Sequence, residues 1–224
     1  MMESFTNELT NDRIEIDTLE LFPTPCIVTP FPKHSQYKWN SFERVNRKPD
    51  QWFTPLNTSF PDLTDDDPYI DAKTNARIRK DIMDHLEKVF QCYNMPHHIR
   101  YSAFWYNAYY EGDGQEPHDH LSPDNNNPYW CGIYFAKNCL GNQLVFQQKN
   151  YGLRLQQTYA YSESRLGQYY EDLWSSSIQD GMIILFPPHL THGIKVGKEN
   201  RNKMRLTFSF NLAIDGVLLP NNVR

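Results

Sequence analysis

The chain has 224 residues, a mass of 26.5 kDa, a formal charge of -5 and a pI near 5.9. Hydrophobic residues make up 39% and aromatics 14%, and no apolar run approaches the roughly 20 residues that span a bilayer, so composition predicts a soluble chain with one sizeable core and no membrane segment. The acidic balance excludes attachment to nucleic acid by net charge. The basic clusters RVNRK (44–48) and RNKMR (201–205) read as solvated loops.

The opening MMESFTNELTNDRIEID is acidic and polar, with no basic stretch leading into an apolar one. That predicts a chain without a secretory signal, working in the cytoplasm. Cys26, Cys92, Cys131 and Cys139 form no CxxC pair, which fits reduced thiols.

In chain order, residues 1–70 are rich in proline and aromatics. Pro23, Pro25, Pro30, Pro32, Pro49, Pro55, Pro61 and Pro68 exclude a long helix and leave short edge strands joined by turns, a layer covering a core formed later. Over residues 73–93 the period changes. Ile78, Ile82, Met83, Leu86, Val89 and Phe90 recur at spacings of three and four, predicting an amphipathic helix that Asn94-Met95-Pro96 ends. His85 lies beside that stripe and reads as structural, and His97 and His98 as turn residues.

From residue 99 the pattern is β. IRYSAFWYNAYY, WCGIYFA, NQLVFQQ, GMIILFPP and MRLTFSFNLAI are apolar or alternating runs separated by SPDNNNP, KNCLGN and KVGKENRN. The predicted fold is mainly β: a double-stranded β-helix, or jelly roll, over 99–215, with the helix packed outside and one domain spanning 1–224. Residues 150–180 fit neither period and read as an insertion between core strands, of the kind that lines a site.

Two of the eight histidines stand one residue apart in QEPHDH (115–120). On a regular strand His118 and His120 share a face and Asp119 points away. Imidazole suits zinc, copper, iron and nickel, and a third ligand must come from elsewhere. The candidate is His192, which follows FPPHLT and leads HGIKV; His189, directly after two prolines, reads as a loop residue.

The order of YYEGDGQEPHDH (109–120), GIYFA (132–136), GMIILFPPHLTHGI (181–194) and RLTFSFNL (205–212) resembles the Fe(II)/2-oxoglutarate-dependent dioxygenases. The likeness is nearest to the prolyl-hydroxylase-like branch, including oxygenases of phage and marine-bacterial type; ELFPTPCIV (20–28) also resembles the opening of the phage-type members. The motifs cover roughly the last 125 residues, and their order is more specific than any one of them. The resemblance implies Fe(II) held by His118 and His192, with 2-oxoglutarate as cosubstrate and O2 as oxidant, and hydroxylation of an unidentified substrate, prolyl side chains being the family's guide. It also implies a phage- or virus-encoded enzyme acting in a host cytoplasm. Arg205 would clamp the distal carboxylate of 2-oxoglutarate, since a guanidinium offers planar bidentate recognition, and Thr207 would bond to it from the same strand face. Arg201, in a turn, is the alternative clamp. Asn107 and Tyr109 alternate onto one face of the preceding strand, where they contact cosubstrate or substrate or else satisfy each other.

The departure is His120, which stands where the family pattern has Asp or Glu. His120 ranks first as third ligand and Asp119, rescued by a bulge, second; Glu116 and Asp124 lie further out. Two other readings follow from that departure. One is a jelly-roll binding or structural protein with a degenerate site; the other is a cupin-type three-histidine metalloenzyme that does not use 2-oxoglutarate.

Overall fold

The computed structural model describes residues 2–6, 13–17, 24–41, 56–96, 98–110, 112–121, 127–139, 142–147, 173–177, 179–196 and 204–214. Two sheets and one helix stack as three layers. The larger sheet contains β3 (Ile27–Pro30), β4 (Asn57–Thr58), β5 (Ile99–Tyr109), β7 (Trp130–Lys137), β10 (Met182–Phe186) and β12 (Arg205–Ile214), in the order β3-β10-β7-β12-β5-β4. The smaller contains β6 (Gly114–His118), β8 (Asn142–Gln147), β9 (Leu173–Ser177) and β11 (Thr191–Val196), in the order β6-β11-β8-β9. β1 (Met2–Thr6) and β2 (Arg13–Asp17) pair with each other as an antiparallel hairpin. Every pairing among the described residues is antiparallel, and long crossovers between sheets give the jelly roll that the strand pattern predicts.

The helix α1 (Ala72–Cys92) lies within one residue of the range expected from its period. Asp71 caps it, accepting from Thr74 N at 2.9 Å. Its end is built by Asn94, whose φ of 52° turns the chain so that Met95 N bonds back to Phe90 O at 2.9 Å. Ile78, Ile82, Leu86 and Phe90 are fully buried against the outer face of the larger sheet, among Phe104, Tyr106, Tyr134, Leu185, Phe208 and Phe210. Each such side chain contributes about 1.5–3 kcal/mol by leaving water. The alternate residues of the same strands, among them Tyr109, Ile133, Phe135, Ile184 and Phe186, form a second core with Leu144, Phe146 and Ile194 of the smaller sheet.

The proline-rich segment supplies both edges of the larger sheet, β3 against β10 and β4 against β5. Its tie to the helix is polar: the carboxylate of Asp81, only 10% exposed, accepts from Lys33 Nζ at 2.6 Å and Tyr37 OH at 2.7 Å. His85 is the structural histidine expected, its Nε2 3.0 Å from Thr29 Oγ1.

One expectation is corrected. Part of the 150–180 stretch is a core strand, because β9 pairs with β8 from Gln143↔Ser177 to Gln147↔Leu173. The sequence LWSSS carries no apolar alternation, and an edge strand is held by backbone bonds on one side only, so its pattern is silent. Residues 148–172 lie outside the described residues, as do RVNRK, His97, Asp124 and Arg201. No helix among the described residues is long and apolar enough to cross a membrane.

Candidate metal centre

His118 ends β6 and His192 is the second residue of β11, and the two are cross-strand partners. The ladder then slips. His192 faces His118 while Ile194 faces Gln115, so Glu116 and Pro117 oppose the single Gly193. That bulge bends β6 and brings Gln115 and His118, three residues apart, to line the same cleft. Gly193 permits it, since a Cβ there would lie 2.7 Å from Gln115 O. The bulge precedes His118 and does not bring Asp119 inward.

His120 lies beyond the strand, contrary to the regular-strand expectation. Its backbone N–H donates to Pro188 O at 2.9 Å, in the turn before β11. The ring packs near-parallel to Trp105, centroids 6.1 Å apart. The three imidazole centroids are 4.4 Å (His118 and His192), 5.1 Å (His120 and His192) and 5.3 Å (His118 and His120) apart. Each ring offers a nitrogen within 4.8 Å of the others. Asp119 turns away, accepting from Leu121 N at 3.0 Å, and Glu116 contributes a backbone carbonyl to His118. His189 is exposed in the turn 187–190.

The hydrogen bonds fix which nitrogen is offered. His118 Nδ1 lies 2.8 Å from Glu116 O, His192 Nδ1 3.0 Å from Leu190 O, and His120 Nδ1 2.8 Å from Asn211 Oδ1. A carbonyl oxygen only accepts, so each Nδ1 carries the proton and each Nε2 keeps its lone pair. The buried His120 Nε2 has no hydrogen-bond partner among the described residues, an orphan of the kind a metal explains. Burial lowers the pKa of all three rings, His120 to about 4 and His192 well below its ordinary value. In His120 and His192 the neighbouring imidazoles push it down further. Neutral histidines are the protonation state a metal requires, so the donor set fits a borderline ion such as iron.

Around the cluster the cleft is lined by Trp105, Gln115, Ile133, Phe186 and Ser209. Arg205, Thr207, Ser209 and Asn211 alternate along β12, and the first three are buried polar residues. In register Arg205 faces Tyr109, and Thr207 faces Asn107 on β5. Asn107 Nδ2 donates to Ser209 Oγ at 3.3 Å, Thr58 Oγ1 donates to Asn107 Oδ1 at 2.7 Å, and Tyr109 OH donates to Gln115 Oε1 at 3.1 Å. Burial lowers the pKa of the Arg205 guanidinium and raises that of the Tyr109 phenol. Gln115, Ser209 and Asn211 were not legible as site residues. Gln115 owes its place to the bulge, while Ser209 and Asn211 follow from the two-residue period that carries Arg205 and Thr207.

This architecture, a double-stranded β-helix with an outer helix, is the fold of the 2-oxoglutarate–Fe(II) oxygenase structures. HygX from Streptomyces hygroscopicus, with nickel, 2-oxoglutarate and hygromycin B bound, is 13% identical, with a TM-score of 0.50 over 86% of this chain and 84% of that one. The same protein with iron bound gives 14% identity and a TM-score of 0.48 over 86% and 83%. A prolyl-4-hydroxylase from Pseudomonas putida is 11% identical, with a TM-score of 0.44 over 86% and 94%. No protein-family model matches the chain, and no curated protein matches it in sequence.

Proposed function

We propose that the protein is an Fe(II)- and 2-oxoglutarate-dependent oxygenase that hydroxylates a C–H bond of its substrate. The single observation that carries this reading is the convergence of three Nε2 lone pairs, each freed by an Nδ1–H bond to a carbonyl, in a cleft shared with the inward face of β12. His118, His120 and His192 hold the metal. Bound there, iron with 2-oxoglutarate and O2 supplies the oxidising chemistry, one oxygen atom going to the substrate C–H and the other to succinate, with loss of CO2.

The chain's own residues do the rest. Arg205 receives the distal carboxylate of the cosubstrate, a fork of donors that lysine does not copy, and Thr207 adds a hydroxyl from the same face. Asn107 and Tyr109, across the ladder, form the flanking wall. Trp105, Ile133 and Phe186 keep water from the reacting atoms. The substrate class favoured by the sequence resemblance is a peptidyl prolyl or other amino-acid side chain.

The test is anaerobic. Fe(II) and 2-oxoglutarate are added to metal-stripped protein, and the visible charge-transfer band is read in wild type, Arg205→Ala and His120→Ala. The band is expected in wild type and weakened in both variants. The presence of His120 in place of a carboxylate favours a second reading, a cupin-type three-histidine enzyme that does not use 2-oxoglutarate. Tight metal binding with no band in wild type would select it.

A further inference from the structure

The three histidines are not anchored alike. His118 and His192 each turn Nδ1 onto the backbone carbonyl two residues earlier, Glu116 O in β6 and Leu190 O in the turn before β11. His120 takes its Nδ1 partner from a distant side chain, Asn211 Oδ1, ninety-one residues away. We infer that Asn211 is a positioning residue for His120. Its amide oxygen accepts the Nδ1–H, fixing the tautomer and ring plane that leave Nε2 as third ligand of the metal centre. The inference rests on the reading of that centre given above.

Three observations carry it. The backbone of His120 is tied to Pro188 O and its ring face to Trp105, which leaves rotation about the side-chain bonds as the freedom that Asn211 removes. Asn211 is itself held, its Cα paired with Cys131 on one side and Ala103 on the other, at the step where the β12–β5 register shifts. Finally, the amide has one workable orientation. Were it reversed, Nδ2 would donate to Nδ1 and the ring proton would move to Nε2, a buried atom with no partner among the described residues. An asparagine also accepts without adding charge. A histidine and a neutral acceptor thus stand together where the resembling family has a carboxylate, and the protein brings no anionic ligand to this position.

Co(II) alone is the probe, read by its visible ligand-field absorption on metal-stripped protein. Asn211→Leu, of similar size with no acceptor, is expected to weaken Co(II) binding by roughly 10- to 100-fold and to change the band shape. Asn211→Asp, which can only accept, is expected to retain binding. In a His120→Ala background, Asn211→Leu is expected to add nothing, because its effect runs through that ring. Wild-type affinity in Asn211→Leu would overturn the inference. So would an equal loss with and without His120, which marks a residue that only supports β12, or a loss in Asn211→Asp as large as in the leucine variant. If wild type binds no Co(II), or if His118→Ala and His192→Ala bind it unchanged, the metal centre itself is refuted and this inference with it.

Discussion

Acidification of the metal-free protein offers a quantitative check on the histidine cluster. His120 is held at about 4 against an ordinary value of 6.5, so the folded state favours its neutral form and the unfolded state binds the proton first. Its contribution to stability is therefore fully present above pH 6.5 and is lost as pH falls from there toward 4. At pH 5 the shift amounts to about 2 kcal/mol, or roughly 4–8 °C in melting temperature for a domain of this size. The same direction holds for His118 and His192. The assay is thermal melting in chelator between pH 7.5 and 5, comparing wild type with His120→Phe, which removes the titrating group. Wild type should lose about 2 kcal/mol more than the variant over that range, and excess metal at pH 7 should raise its melting temperature. Parallel losses in the two proteins would refute the claim that burial holds this ring neutral.

Gly193→Ala should separate β6 from β11, because the new methyl group meets backbone, Gln115 O at 2.7 Å. Both the melting temperature and Co(II) affinity should fall, and a variant losing neither would show that the bulge tolerates a side chain. Phe90→Ala, at a fully buried position of α1, should cost about 3–5 kcal/mol in urea unfolding while Co(II) affinity at 25 °C stays as in wild type, since that core is the one away from the cluster.

Legibility in the sequence followed from burial pattern. α1 was visible because its stripe faces one partner, β7 and β10 because both their faces are covered and their residues are mostly apolar, and β5 and β12 because aromatic and apolar residues recur along them at strand spacing. β9 was not, being an edge strand, LWSSS, in which two apolar residues are followed by three serines with no alternation. His118, His120 and His192 could be singled out because metal-ligand chemistry narrows the residue types, and the structure gathers all three. Their mode of assembly was hidden. The expected alternation fails at Glu116–Pro117, and His120 reaches the cluster through Pro188 and Asn211, contacts that neither period nor motif encodes.

β12 faces two ways. Leu206, Phe208, Phe210 and Leu212 fill the core under the helix, while Arg205, Thr207, Ser209 and Asn211 alternate with them toward the smaller sheet. Loss or gain of one residue directly after Arg205 would reverse the facing of every residue beyond it, turning the phenylalanines toward the histidines and Thr207, Ser209 and Asn211 into the helix core. The segment can vary by substitution and not by length. β12 is thus a fixed ruler whose two-residue period decides which side chains meet the histidines and which meet the helix.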